Sequence, residues 1–262
     1  MKICIVHVNA EEVSGPYAEL IDKNFNRVKR KDTVLEHRFV KHLKRATDTV
    51  FAYPTLLNQV DVVDQFIGAE RDGMDAAMVA CSGDPGVAEA RAVCGIPIVG
   101  PMEAAMHLAC TYGHKFGIVT VEDRSWSEYC DMMVGAAGLR DRLSGVGRIR
   151  IPSKDAFTKG FLDPQVLAEE IERVSAQLIE DGANSIVIGS AGLSVIASTS
   201  GLARLSKSEV PIFDCLSVGL KATEMRVDLS TKLGVPEYSR VGFGTHMEQP
   251  DVDRLRKLFE KS

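Results

Sequence analysis

The chain has 262 residues, 45% of them hydrophobic and 26% charged, with 31 Lys plus Arg against 36 Asp plus Glu and a net charge of −5. That length buries a full core, as one large domain or two smaller ones, and the acidic balance excludes a concentrated basic face for nucleic acid or anionic lipid. No apolar run approaches the roughly 18 residues of a membrane span, and Met1–Val6 lacks the longer apolar region and cleavage site of a signal peptide, so a cytoplasmic protein is expected.

Strand and helix patterns alternate from the start. Ile3–Val8 reads as a buried strand, Ser14–Arg27 as a helix with Pro16 near its start, and Thr33–Val40 as a second strand. The basic stretch from Lys23 to Arg45 is interrupted by Asp32 and Glu36 and reads as a solvated face. Leu56–Arg71 carries apolar residues at helical spacing, and Gly73 closes it. Ala76–Ala80 is a short strand, Pro85–Val93 a helix and Pro97–Val99 another strand. This alternation predicts an α/β fold with parallel strands and helices on both faces.

The chain also repeats itself. Met78-Val79-Ala80-Cys81-Ser82-Gly83 leads into a helix, then Gly95-Ile96-Pro97-Ile98-Val99 and the helix Glu103–Ala109. Later, Ile188-Gly189-Ser190-Ala191-Gly192 leads into a helix, then Glu209-Val210-Pro211-Ile212-Phe213 and the helix Ser217–Met225. The opening strands correspond as well, Cys4-Ile5-Val6-His7 beside Gly117-Ile118-Val119-Thr120. Strand–turn–helix echoes occur in any α/β protein, but the paired order of all these segments predicts two similar lobes related by a pseudo-twofold axis. The expected lobes are residues 1–100 plus 214–262, and residues 101–213. A ligand in this architecture sits beyond the carboxyl ends of the strands, here in the cleft between the lobes. The residues just after each strand therefore face it: Val8-Asn9, Cys81-Ser82-Gly83, Thr120-Val121 and Ser190-Ala191-Gly192. Cys81 is expected to face Ser190 across the cleft.

Of the six cysteines, none lies in a CxxC pair, and His37 and His42 do not share a helix face, so no metal site is expected. Most of the thiols read as small buried apolar residues. Cys81 differs. It ends a strand and precedes Asp84-Pro85, which reads as an N-cap and first-turn pair, so backbone N–H groups and the helix end should lower its pKa. A thiolate among backbone donors can remove a proton from a carbon acid, and the donors can hold a carboxylate or an enolate. Nucleotide cofactors lack their phosphate cradle, since neither GxGxxG after a strand nor GxxxxGK[ST] occurs. Ser190 lacks the GxSxG spacing of a nucleophile elbow. His107 reads as a helix surface residue, and Cys215, after the strand at Phe213, as buried near the cleft.

Ala80-Cys81-Ser82-Gly83-Asp84-Pro85-Gly86, Pro97-Ile98-Val99-Gly100, Glu103–His107 and Ile186–Leu193 together resemble the aspartate/glutamate/hydantoin racemase superfamily, most of all its hydantoin and allantoin racemase branch. The resemblance spans both halves. It implies a cofactor-independent enzyme in which two opposed cysteines remove a proton from a stereocentre and return one to its other face. Cys81 matches the first cysteine, but Ser190 stands at the second, and the family's opening Asn-Pro-Asn is reduced to Val8-Asn9. A hydroxyl is a far weaker acid than a thiol. The implied activity is racemisation or epimerisation of a carbon acid beside a carboxylate or cyclic amide, with Cys81 and Ser190 at the reacting carbon. The implied substrate contacts are Asn9, Ser82, Gly83, Thr120, Val121, Ala191 and Gly192, and assembly with identical chains is expected. The alternatives are a one-cysteine decarboxylase or other isomerase, and an inactive small-molecule binding protein.

Overall fold

The computed structural model describes residues 1–206, 208–239, 241–242 and 245–259. Strands β1 (Lys2–His7), β2 (Val34–Phe39), β3 (Ala76–Val79) and β4 (Ile98–Val99) form a sheet in the order β2-β1-β3-β4. Strands β5 (Phe116–Thr120), β6 (Leu143–Arg148), β7 (Ser185–Ile188) and β8 (Ile212–Asp214) form a second sheet in the order β6-β5-β7-β8. Every pairing within the two sheets is parallel. The repeat read in the sequence thus has a structural counterpart: each lobe starts with its second strand in space and carries its third beside it. The central strands β1, β3, β5 and β7 are buried almost throughout, as apolar strands covered on both faces must be.

Helices α1 (Glu11–Val28), α2 (Ala52–Arg71), α3 (Val87–Arg91) and α4 (Pro101–Ala109) accompany the first sheet in sequence. Helices α5 (Arg124–Ala136), α6 (Ser153–Leu162), α7 (Pro164–Glu180), α8 (Ala191–Ser200), α9 (Cys215–Leu233) and α10 (Gln249–Leu258) complete the order. Two of them cross over. α4 leaves β4 yet packs on β7 and β8, whereas α9 leaves β8 and packs on β3 and β4. The lobes are tied further by α1, where Asn24 Nδ2 donates to the Val195 carbonyl of α8 at 3.0 Å. No helix among the described residues is long and apolar enough to cross a membrane.

Two helix expectations shift. α1 begins at Glu11 rather than Ser14, so that Pro16 falls inside it. The helix expected over Pro85–Val93 shrinks to Val87–Arg91, because Asp84 (φ 46°) and Gly86 (φ 72°) turn the backbone left-handed just before it.

At the cleft end of β1, His7 is buried and stacks on Phe39, the rings 4.6 Å apart. One of its nitrogens lies 2.7 Å from His37 Nδ1, and His37 Nε2 reaches Asp22 at 3.0 Å. Burial, with the neighbouring His37, pushes the His7 pKa down from 6.5 to about 3. A depressed histidine contributes stability that is fully present above pH 6.5 and is lost as the pH falls toward 3, because the unfolded chain takes up the proton first. Urea denaturation at pH 7 and pH 4.5 should therefore show a smaller loss of stability in His7→Phe than in the parent; an equal loss would remove His7 from the acid transition.

Candidate active site

The turn after β3 carries Cys81, Ser82 and Gly83, and the turn after β7 carries Gly189 and Ser190. One atom joins them. The Gly189 carbonyl accepts from Trp126 Nε1 at 2.8 Å, Thr120 Oγ1 at 2.9 Å, Ser82 Oγ at 3.3 Å and Cys130 Sγ at 3.7 Å. Ser82 comes from the turn after β3, Thr120 from β5, and Trp126 and Cys130 from α5, so the residue after Cys81 is bonded to the residue before Ser190. Thr120 and Ser82, both expected at the ligand, thus spend their hydroxyl protons on this junction.

Cys81 lines a narrow pocket. Its lining comes from Val8, Gly83 and Pro85, from Thr49 in the turn before α2, and from Thr55 and Asn58 in the first turns of α2. Trp126 and Tyr129 of α5 complete it. These two are one helical turn apart, and their rings lie 5.4 Å from each other. Both press on Gly83, where an added Cβ would come 3.0 Å from Trp126 and 3.3 Å from Tyr129. Among the described residues, no Lys, Arg, Asp or Glu lines this pocket.

The amide of Gly83 points at the Cys81 sulfur from 3.5 Å. The expected low pKa is nevertheless overturned. Burial pushes the thiol up to about 12, against the lowering effect of the Gly83 amide and with a smaller raising contribution from Asp84. The physical reason is local. α3 is one short turn that begins only at Val87, with Gly86 at its N-cap, so the helix that follows Cys81 starts six residues after it.

The expected role of Asp84 as cap of the following helix is corrected too. Its carboxylate instead caps α4, accepting from the Met102 amide at 3.0 Å and the Glu103 amide at 2.8 Å. Gly100, the N-cap residue of α4, has no side chain because the carboxylate fills its place: a Cβ there would lie 2.5 Å from Asp84 Cγ. In the second lobe Asp214 caps α9 from its own position, accepting from Leu216 at 2.9 Å and Ser217 at 3.3 Å. Burial raises the Asp84 carboxyl to about 7, although the two α4 amides pull it down.

Ser190 is the N-cap of α8, its Oγ accepting from the Leu193 amide at 3.4 Å, and it is not among the residues lining the Cys81 pocket. Ala191 and Gly192 form the first turn of α8, where amide N–H groups have no intrahelical acceptor. Asn9 is buried with its Nδ2 3.5 Å from the Leu43 carbonyl, and Val121 is buried behind β5. Cys215 is fully buried, its sulfur 3.2 Å from Ser194 Oγ. His107 is exposed, with its Nδ1 2.8 Å from the Glu103 carbonyl. Asn58, Trp126 and Tyr129 are not singled out by the sequence; the chain's single Trp, in the first turn of the helix after β5, is the signal available.

Residues 36–223 match the family model described as Asp/Glu/Hydantoin racemase. The chain belongs to this racemase family. Among curated relatives of the racemase, the hydantoin racemase of Pseudomonas sp. (strain NS671) is 31% identical over 182 residues, 69% of each chain. The hydantoin racemase of Rhizobium meliloti is 33% identical over 156 residues, 59% of this chain and 61% of that one. Among solved structures, the allantoin racemase from Klebsiella pneumoniae superposes with a TM-score of 0.76, covering 95% of this chain and 94% of its own at 24% identity. The last likeness is one of fold.

A buried neutral thiol reacts only through its small thiolate fraction. Alkylation of Cys81 by iodoacetamide, followed by peptide mass, should accelerate about tenfold per pH unit from pH 7 to pH 10 without levelling, since the thiol titrates only near 12. A plateau near pH 8 would mean that the pocket holds the thiolate after all.

Proposed function

We propose that this chain is a cofactor-independent racemase or epimerase acting on a carbon acid of the hydantoin class, with Cys81 as the acid/base at the reacting carbon. The observation that carries the reading is the position of Cys81 in a pocket whose described lining holds no charged side chain, beside the junction of two matching turns. An amino-dicarboxylate brings a second carboxylate that wants a cationic partner, and a pocket lined by Val8, Pro85, Trp126 and Tyr129 suits a neutral ring and an apolar substituent better. The curated hydantoin racemases point the same way. On this reading the lobes are residues 1–100 plus 214–262 and 101–213, supported by the packing of α9 on the first sheet and α4 on the second.

In the reaction, Cys81 takes the proton from the carbon, and the electron pair moves onto the adjacent carbonyl oxygen as an enolate. The first-turn amides at Ala191 and Gly192 supply donors suited to that oxyanion. A proton then returns to the carbon from the opposite face. Ser190 stands where a second thiol would deliver it, and its hydroxyl is a poor acid without a partner base.

That serine, together with a thiol that rests protonated, favours a second reading: a decarboxylase in which carbon dioxide leaves and Cys81 donates the proton to the resulting carbanion. One set of measurements separates the two. Loss of a positioned acid or base costs roughly 10²–10⁴-fold in rate, so Ser190→Cys should raise racemisation of a 5-substituted hydantoin by about that factor. The parent chain should exchange deuterium into one enantiomer faster than it racemises it. Equal racemisation by both proteins would assign the second proton transfer to another residue, and carbon dioxide release from a malonate without exchange into hydantoins would establish the decarboxylase.

A further inference from the structure

The first turns of α2 are built inside out. Leu56, Leu57 and Val60 are exposed, whereas Asn58 among them is buried, with 6% of its surface accessible. An amphipathic helix normally turns its apolar residues inward, so the inward amide needs a reason. Asn58 Nδ2 donates to the Val8 carbonyl at 2.9 Å. A carbonyl only accepts, which fixes the orientation of the amide and leaves Oδ1 on the other side. Asn58 Oδ1 is buried and has no hydrogen-bond partner among the described residues, and the residue lines the Cys81 pocket. A buried acceptor without a donor costs about 1–3 kcal/mol.

Three other side chains of the pocket give their protons to the protein. Tyr129 donates to the Gly83 carbonyl at 3.1 Å, Trp126 to Gly189 at 2.8 Å and Thr55 to the Phe51 carbonyl at 2.8 Å. Asn58 Oδ1 is left without a donor among the described residues, and a ligand in the pocket can bring one. We infer that Asn58 is a specificity-determining residue of the Cys81 site, its Oδ1 accepting the ring N–H of a cyclic amide substrate. The inference rests on the racemase reading for the identity of the ring and on Asn58 itself for the N–H. It selects against carbon acids that present only carboxylates, because these accept and cannot donate.

The test is a binding measurement, independent of turnover. Racemic 5-benzylhydantoin and its 1-methyl and 3-methyl derivatives are titrated calorimetrically into the parent chain and into Asn58→Ala, whose folding is checked by thermal melting. The parent should bind one N-methyl derivative about 10- to 100-fold more weakly than 5-benzylhydantoin, the factor that one unsatisfied buried acceptor represents. In Asn58→Ala that ratio should fall to near one, with the derivative itself bound as well as before or better. A merely structural role would weaken all three ligands together, and that result overturns the inference. So does a parent chain that binds all three alike, which needs no variant to establish, or one that binds none of them. Deuterium wash-in on the same ligands reads the racemase proposal separately: selective binding without exchange sustains Asn58 and overturns the activity, and exchange without N–H selectivity does the reverse.

Discussion

Everything at the cleft depends on the Gly189 carbonyl. A carbonyl oxygen has two lone pairs, yet here an indole, two hydroxyls and a thiol converge on it, from both sheets. Each such bond is worth only about 1 kcal/mol net, but together they fix the spacing of two turns that no strand pairing connects. Trp126 is held by the same atom, and through Trp126 the wall that closes over Gly83 and the pocket edge beside Cys81. The lobes meet through a polar junction that is saturated, with the apolar packing of α4 against α9 behind it.

The two lobes share a plan and differ where the chemistry differs. Asp214 caps its own helix, the local solution for a strand–helix joint. In the first lobe the same task falls to Asp84, which reaches α4 from the Cys81 turn and forces Gly100 to be bare. That detour ties the turn bearing Cys81 to the crossover helix of the other lobe, and it places a carboxyl with a pKa of about 7 near the thiol. Ser190, by contrast, caps its own helix α8 with its hydroxyl. One turn thus keeps a free thiol in a pocket, and the other uses its polar atom for structure.

What the sequence made legible follows the same division. The parallel strands, their repeat and the family were readable because short buried runs such as Ile186-Val187-Ile188 and their echoes are local signals. Cys81 was readable from its turn. The cap of α4 by Asp84 was not, since the residue sits 18 positions from its partner Met102 and only the fold brings them together. Thr120 and Ser82 were placed at strand ends correctly, but which of their neighbours would take their hydroxyl protons is a tertiary fact. Asn58 was hidden for a different reason. Its surroundings invert the usual helix pattern, and a rule that assigns polar residues to the outer face places it outside.

The protonated state of Cys81 follows from the burial that makes the pocket useful. Removing water withdraws the solvation a thiolate needs, and one amide from Gly83 at 3.5 Å does not replace it. The same dryness strengthens any dipole aimed at charge that forms later. A site of this kind tolerates negative charge poorly at rest. A neutral ring whose acidity appears only on losing a carbon-bound proton meets that condition. A substrate that enters carrying two carboxylates must bring both into a pocket whose described lining holds no cation to receive them.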